Sequence, residues 1–392
     1  MASEIDINKV APIPSSVKRN NFISRFNVAD RLKYLINMEL FIGINRVYLL
    51  DYSKTTFWIT QVSTPFLLSI TIYLIFRSSS YNEEYTAFRN IYCIEVLFLC
   101  ISGSYLQRNK LRNFFLKISE FDTKLNLQNE LITPRPLYTF IWTVGITLSV
   151  IIDYVYTVNF MKTEIYYGWD VVNLGIFIHE CEKLFFCVLL YAILIRIRIL
   201  EKHVAKTFGV KEDEKSNTNR RNKIDKMQDK VKLDLSSLHE AYLLLQNVSE
   251  HLNSSMSFSM IVMFSSSGIN TIMFLNYIFN ENTAKTDLMF NAYIIEHCIK
   301  LTLFMMIPCY LANDTSTHVT IIRGILHDAL DDKTRGKAER RKIKAFHQLT
   351  HDSEITYVLW GLIKLDMYFP LSYSSLCTTY LVIVLQYSKF IV

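Results

Sequence analysis

The sequence predicts an all-α membrane protein with seven transmembrane helices, a cytoplasmic N-terminus, an extracellular C-terminus and helical cytoplasmic extensions that form an anchor domain. Two features of its composition point there: 51% of the 392 residues are hydrophobic, and the charged 20% are concentrated in blocks between long apolar stretches. The net charge of +6 comes from basic residues beside those stretches. Membrane insertion places Lys and Arg there, so the charge does not indicate nucleic-acid binding.

Seven stretches are long and apolar enough to cross a bilayer, which requires about 20 mostly apolar residues. Six of them lie in the region 57–312, and the seventh follows the anchor domain. The predicted spans are 57–76, 90–106, 137–158, 171–195, 257–279, 288–312 and 368–387. A weaker apolar stretch, 34–50, is broken by polar residues such as Glu39 and Arg46. We therefore expect an interfacial or buried helix there and not a span.

The distribution of Lys and Arg fixes the predicted orientation. Of the 42 basic residues, 34 lie in segments on one side of the predicted spans and 5 on the other. Basic residues favour the cytoplasmic side. The N-terminal segment 1–56, the loop 196–256 and the anchor segment 313–367 are then cytoplasmic, and the tail 388–392 is extracellular.

The cytoplasmic segments carry apolar stripes at helical spacing. One stripe begins at Ile224 and runs into the fifth span, which predicts one long helix that projects out of the membrane. The sixth span continues inward through "VTIIRGILHDALDD", and "AERRKIKAFHQLTHD" predicts a further helix. Such a bundle is suited to joining subunits. The alternative is a monomer in which these helices cover one another.

Polar and aromatic residues at membrane depth indicate either a ligand pocket or internal pairing. A charged side chain near the bilayer centre costs about 2.5–3.5 kcal/mol and usually faces a bundle interior or a cavity. The outer halves of spans two to six predict a small-molecule pocket from Tyr92, Glu95, Asp153, Tyr154, Trp169, His179, Glu180, Asn276, Tyr277, Asn291 and Tyr293. An interfacial aromatic belt would place some of the same rings near the outer surface.

The sequence carries no pattern of catalytic chemistry. It has no nucleophile triad, phosphate-binding loop or nucleotide motif, and "HECEK" at 179–183 is not a zinc-protease motif. His327, His347 and His351 lie in segments rich in Lys and Arg, which favours a solvated helix face over a metal site. All seven cysteines lie in apolar stretches. We expect no enzyme, no catalytic residue, no metal, no cofactor and no nucleic-acid partner.

The last predicted span carries a polar stripe. At 100° per residue, relative to Gln386, Ser375 lies at about −20°, Thr379 at +20°, Ser372 at +40° and Ile383 at +60°. A water-filled pore favours such a stripe, and Ile383, one turn before Gln386, would form a hydrophobic constriction. The alternative is packing against other spans of the same chain.

Three stretches resemble the insect gustatory receptors. "TYLVIVLQY", 379–387, is similar to the motif of their seventh span, with Tyr387 in place of Phe. "GLIKLDM", 361–367, and "FDTKL", 121–125, resemble two further recurring stretches. Length, span number and orientation are similar along the whole chain. Insect odorant receptors share this architecture and a related ending.

The resemblance implies a tastant-gated, non-selective cation channel in the plasma membrane of chemosensory neurons. Four subunits, identical or mixed with related receptors, would surround a pore lined by Ser372, Ser375, Thr379, Ile383, Gln386 and Tyr387. Each subunit would bind its tastant in the outer half. Leu381 stands where sugar receptors usually carry Glu, so the resemblance favours a bitter-type branch. An odorant receptor channel is the main alternative, and a metabotropic receptor or a transporter is less compatible with the charge distribution and the absence of repeats.

Overall fold

The computed structural model describes residues 32–41, 43–50, 83–125, 127, 166–209, 234–280 and 288–390, with isolated helical residues within 62–73 and 141–155. The predicted spans 57–76 and 137–158 therefore lie mostly outside the described residues. The elements, in chain order, are α1 (Lys33–Phe41), a 3-10 turn (Val47–Leu49), α2 (Glu83–Ile101), a π turn (Ser102–Leu106), α3 (Arg108–Lys124), α4 (Tyr166–Phe208), α5 (Leu235–Asn280), α6 (Leu288–Asp331), α7 (Lys337–Asp352), β1 (Val358–Leu359), β2 (Ile363–Lys364) and α8 (Phe369–Phe390).

Helices α4, α5 and α6 are much longer than a bilayer is thick. They contain 43, 46 and 44 residues. At 1.5 Å per residue each is about 65–70 Å long, whereas the hydrocarbon core is about 30 Å thick. The helices that contain the fifth and sixth predicted spans therefore continue beyond the bounds predicted for those spans. Helix α4 does so as well, because the buried residues Ile197, Leu200 and Val204 extend its apolar stripe into the predicted loop 196–256.

Two described helices are long and apolar enough to cross a membrane, α5 over Leu235–Met273 and α8 over Phe369–Gln386. A third is added if α2 and α3 are counted as one span broken by a bend of 56°. Helix α4 carries three charged residues close together, Glu180, Glu182 and Lys183. These make it less apolar than a lipid-facing span, and all three are buried in the chain.

The N-terminal segment, residues 32–50, fills the bend between α2 and α3. Leu35, Ile36 and Ile44 have no exposed surface. A Cβ atom added to Gly103 in the π turn would lie 2.5 Å from the Ile44 side chain, so only glycine permits this approach. The sequence predicts an interfacial or buried helix in 34–50; the described part of this stretch contains α1 and one 3-10 turn, and many of its residues are buried.

Helix α7 and the segment after it pack on the extended ends of α5 and α6. Phe346 of α7 stacks edge-on to Tyr242 with ring centroids 5.9 Å apart, and the Tyr242 hydroxyl donates to the Ser353 carbonyl at 2.9 Å. Burial raises the pKa of Tyr242, which keeps this donor protonated. Asn253 of α5 donates to the Val358 carbonyl at 3.0 Å. These contacts attach residues 337–358 to the two long helices.

The predicted helical anchor segment, 313–367, contains a β-hairpin after α7. Strands β1 and β2 are antiparallel, with Leu359 paired to Ile363. Trp360 and Gly361 have φ of 52° and 70°, and the Leu362 amide bonds the Leu359 carbonyl at 2.9 Å. Two successive residues with positive φ form a tight hairpin turn and end any helix. The anchor segment, predicted to consist of helices, therefore also contains this hairpin.

Candidate functional site

A polar cluster lies inside the helical bundle, between α2, α4 and α5. Glu95 accepts through Oε1 from the ring of His179 and through Oε2 from the Ser266 hydroxyl, the latter at 2.5 Å. The other ring nitrogen of His179 lies 3.1 Å from Ser267 Oγ, and Asn270 donates to Ser266 Oγ at 3.3 Å. All five side chains are buried. We call these five residues the outer polar cluster.

Three buried polar atoms, one in this cluster and two on residues of α4 that follow His179, make no hydrogen bond with any described residue. They are Glu180 Oε2, Lys183 Nζ and Asn270 Oδ1. Lys183 Nζ lies 4.0 Å from Glu180 Oε1, which is an ion-pair distance but too long for a hydrogen bond. A buried polar atom is costly unless it is hydrogen-bonded. One amine donor and two acceptors are therefore left without a hydrogen-bond partner among the described residues.

The structure brings part of the predicted ligand pocket together. Tyr92 is buried against α4, where a Cβ atom on Gly175 would lie 3.0 Å from its ring. Glu95 and His179 are in contact with each other, and Glu180 follows on α4. Glu95 and His179 are therefore paired with each other. Such internal pairing is the alternative to a ligand pocket that the sequence left open.

The structure describes only some of the other predicted pocket residues. Asn276 is half-buried on α5. Asp153 and Tyr154 lie outside the described residues, and the side chains of Trp169, Tyr277, Asn291 and Tyr293 do as well. Sequence reasoning missed Ser266, Ser267 and Asn270. Their signal was the run "SSSGIN" at 265–270, which places several polar residues within the apolar middle of one helix.

The polar stripe of α8 faces away from the rest of the chain. Ser372, Ser375, Thr379, Ile383 and Gln386 are all exposed, whereas Cys377 and Leu381 are buried. At 100° per residue Cys377 lies about 180° and Leu381 about 140° from Gln386, so the buried face is opposite the stripe. Among the residues that the structure describes, none covers the stripe, so packing against other spans of the same chain, the alternative from the sequence, is not seen in this part of the molecule. The side chain of Tyr387 lies outside the described residues.

One tyrosine fixes the buried face of α8 to α5. The Tyr373 hydroxyl donates to the Phe264 carbonyl at 2.7 Å. A Cβ atom on Gly268 would lie 2.8 Å from that hydroxyl, so glycine is needed for the contact. Phe369 packs on Phe264 with ring centroids 5.2 Å apart. The contact with α5 therefore lies at the beginning of α8, and the polar stripe continues beyond it.

The two upstream stretches of the family resemblance have structural roles within the chain. Asp122, in "FDTKL", accepts two hydrogen bonds from Arg196 of α4, at 2.8 and 2.6 Å. Asp366, in "GLIKLDM", accepts from the amides of Tyr368 and Phe369 at 3.0 and 3.1 Å and so caps the beginning of α8. The third stretch, 379–387, contains Thr379, Ile383 and Gln386 of the exposed stripe.

Comparison with known proteins agrees with this architecture. The model of the 7tm chemosensory receptor family matches residues 31–391. The fold is similar to the insect olfactory receptor OR5 from Machilis hrabei in complex with eugenol, with a TM-score of 0.61 and 12% identity over 93% of this chain and 99% of that one. A second structure of that receptor gives a TM-score of 0.54 and 13% identity over the same shares. No curated protein matches the chain.

The family match extends over nearly the whole described chain and is not confined to one motif. It confirms the expected resemblance to insect chemosensory receptors, and with it a receptor of the membrane rather than an enzyme. The chain therefore belongs to the 7tm chemosensory receptor family.

Proposed function

We propose that the chain is a gustatory receptor, one subunit of a tastant-gated, non-selective cation channel in the plasma membrane of chemosensory neurons. The observation that carries this proposal is the polar stripe of α8, which is exposed on the side opposite the buried face. Four such helices, from identical chains or from related receptors, would surround the pore. Ser372, Ser375, Thr379 and Gln386 would face water, and Ile383 and Tyr387 would close it.

The composition of α8 supports a pore wall better than a lipid-facing helix. Hydroxyl and amide groups in hydrocarbon are unfavourable without partners. The hydroxyls of Ser374, Thr378 and Thr379 bond to carbonyls one turn earlier, so these groups are satisfied inside the helix. The Gln386 amide is exposed, so water in a pore or a neighbouring subunit would supply its hydrogen bonds.

Exposed apolar side chains near the beginning of α8 support subunit assembly. The hairpin tip exposes 61% of Trp360 and 80% of Leu362, and the adjoining Tyr368 is 77% exposed. This surface lies where α8 leaves the anchor segment. Neighbouring copies that bring their α8 helices together would cover it.

The outer polar cluster and the atoms beside it support a small-molecule site in the outer half of each subunit. Lys183 Nζ, Glu180 Oε2 and Asn270 Oδ1 supply one donor and two acceptors for a polar group of the tastant. The predicted pocket residues, from Tyr92 on α2 to Tyr293 on α6, would surround it. The similar olfactory receptor is a structure in complex with the small molecule eugenol.

An odorant receptor channel is the second candidate, and the similar structures of an olfactory receptor favour it. The two functions differ in the ligand and share the channel. A panel that contains both volatile and water-soluble compounds separates them. Responses to soluble bitter compounds support the gustatory function, and responses confined to volatile compounds exclude it.

The channel proposal is tested by patch recording from a non-neuronal cell that expresses the chain. We expect ligand-evoked cation currents that persist when G-protein signalling is blocked. Gln386→Ala and Thr379→Ala should change ion selectivity or conductance. Thr378→Ala is the matched control, because Thr378 makes the same bond within the helix but lies about 100° away from Thr379. Unchanged selectivity and gating in Gln386→Ala, Thr379→Ala and Ile383→Ala would refute a pore lined by α8.

The ligand site has a separate test. Glu180→Gln should shift the concentration of tastant that gives half of the maximal current and leave conductance unchanged. Glu120→Gln, in the exposed part of α3, is the control. Equal dose–response curves for Glu180→Gln and the unaltered channel would place the tastant elsewhere.

A further inference from the structure

A second buried group of charged residues lies between the N-terminal segment and α4. Arg46 Nη2 donates to Glu182 Oε1 and to Gln107 Oε1, each at 2.7 Å. Arg46 Nη1 lies 2.7 Å from Glu39 Oε1, and the guanidinium stacks over Phe185 at 4.0 Å from the ring centroid. Glu39, Arg46 and Glu182 have no exposed surface. We call these three residues the inner ion cluster.

Gln107 connects the inner ion cluster to the bend between α2 and α3. Its backbone amide bonds the Ser102 carbonyl at 2.9 Å, which closes the π turn. Its side-chain amide donates to Ser259 Oγ of α5 at 2.7 Å and to Ser102 Oγ at 3.2 Å, and lies 3.4 Å from Glu182 Oε1. The cluster thus joins the N-terminal segment to the bend, to α4 and to α5.

The inner ion cluster contains two carboxyl groups and one guanidinium. If all three were ionised, the cluster would carry one uncompensated negative charge in the interior. Burial of such a charge costs several kcal/mol, so the group takes up a proton instead.

The other titratable groups around the cluster do not supply a compensating charge. The phenol of Tyr48 and the thiols of Cys100 and Cys181 are neutral in their ordinary state at neutral pH. Arg108 lies over the Tyr48 ring at 5.5 Å and is not among the charges that act on Glu39. The nearest polar group of α5, Ser259, is not titratable.

The hydrogen bonds indicate which carboxyl group holds the proton. Glu182 Oε1 accepts hydrogen bonds from Arg46 and from Gln107. Neither oxygen of Glu39 meets the geometry of a hydrogen bond with a described residue, although Arg46 Nη1 lies 2.7 Å from Oε1. Burial raises the pKa of Glu39 to about 8, and Arg46 opposes this shift only in part.

We propose that the inner ion cluster is a proton-binding site, in which Glu39 holds one proton at neutral pH and its loss releases the N-terminal segment from the bend between α2 and α3. The protonated carboxyl leaves a neutral cluster around Arg46. The ionised one leaves a buried charge that is relieved when the segment moves outward. The site does not involve the pore stripe or the outer polar cluster, so its test is independent of the proposed channel function.

The experiment uses the purified full chain in lipid nanodiscs. Infrared spectra at neutral pH should contain the carbonyl band of a protonated carboxyl group that disappears in Glu39→Gln and as the pH rises above about 8. In Glu182→Gln one carboxylate and one guanidinium balance, so Glu39 ionises and the band is again lost. A band that persists in Glu39→Gln, or that is unchanged at high pH, overturns the proposal.

Thermal melting gives the second readout and does not need the infrared band. A carboxyl group with a raised pKa in the folded state contributes stability that is lost as the pH rises toward that value. The melting temperature of the unaltered chain should therefore fall relative to Glu39→Gln by at least about 2 °C between pH 6 and 8.5. Hydrogen exchange of residues 33–50, corrected for the intrinsic effect of pH, should increase over the same interval. Glu120→Gln is the control, and parallel melting curves for Glu39→Gln and the unaltered chain overturn the proposal.

Discussion

Helices α5 and α8 have similar apolar composition but opposite surroundings. Both are long and apolar enough to cross a bilayer, yet 56% of the most apolar window of α5 is buried inside the chain, against 11% for α8. Helix α5 is largely covered by its own chain, whereas α8 contacts α5 through Phe369 and Tyr373 and leaves most of its surface exposed. The difference shows that apolar composition alone does not say whether a helix belongs to the core or to an interface.

The polar residues of the two regions differ in the same way. Asp122 and Arg196 form an ion pair with each other, and both side chains are almost completely buried. Thr379 and Gln386 are exposed. Contacts inside the chain should therefore determine its stability, whereas the exposed residues of α8 should determine its contacts with neighbouring molecules.

Removal of the Asp122 carboxylate should have the largest effect on stability. Asp122→Ala leaves the Arg196 guanidinium buried without its bidentate partner, which costs about 3–5 kcal/mol of unfolding free energy. Thermal melting of the detergent-purified chain measures this. Glu120→Ala, two residues earlier and half exposed, should cost less than about 1 kcal/mol.

The double variant Asp122→Leu/Arg196→Met keeps the prediction testable if Asp122→Ala does not fold. It removes both charges together and should recover most of the lost stability, since no buried charge is left alone. Equal melting temperatures for Asp122→Ala and Glu120→Ala would show that the buried pair contributes no more to stability than an exposed residue, which contradicts the prediction.

The attachment of α8 is tested by Gly268→Ala. The added methyl group would lie 2.8 Å from the Tyr373 hydroxyl, so α8 must shift or Tyr373 must rotate, at a cost of about 1–3 kcal/mol. Tyr373→Phe removes the hydroxyl and one hydrogen bond. In the double variant the methyl group has room, and the loss should be smaller than the sum of the single losses. Strict additivity in melting experiments would mean that the two residues do not meet.

The beginning of α8 gives a smaller effect. Asp366→Ala removes the acceptor for the amides of Tyr368 and Phe369, and loss of such a cap costs about 0.5–2 kcal/mol. Asp366→Asn keeps the acceptor oxygen and should retain most of the stability. A comparison of the two by thermal melting separates capping from charge.

The sequence predicts the long helices well because their apolar stripes repeat over many turns. The apolar stripe from Leu235 to Leu252 and the polar stripe of α8 could both be predicted from residue spacing, without knowledge of tertiary contacts. The break at Gln107 and the hairpin at Trp360 and Gly361 were not, because each depends on backbone conformations that a few residues adopt in their packed surroundings.

The site was predictable only in part, for a related reason. The polar residues of α2 and α4 stood out because a charge in an apolar stretch is costly. Ser266 and Ser267 did not stand out, because a membrane helix tolerates a serine whose hydroxyl bonds to the backbone of the same helix. Which polar residues meet across helices depends on rotation and register, which periodicity does not specify.

The weakest expected effect lies in the anchor segment, where α6 and α7 meet through two histidines. The rings of His327 and His347 lie 5.9 Å apart, and burial, His327 and Arg323 lower the pKa of His347 below its usual value. A histidine with a lowered pKa contributes stability that is present above pH 6.5 and is lost as the pH falls through the folded-state value. The melting temperature should therefore decrease slightly more between pH 7 and 5 in the unaltered chain than in His347→Gln. His351, at an exposed position of the same helix, contributes least to this shift, so His351→Gln should lie close to the unaltered chain. If His347→Gln and His351→Gln differ only at acid pH, the contact between His327 and His347 contributes to stability although it is partly exposed. It then behaves like the paired residues of the interior and not like the exposed residues of α8.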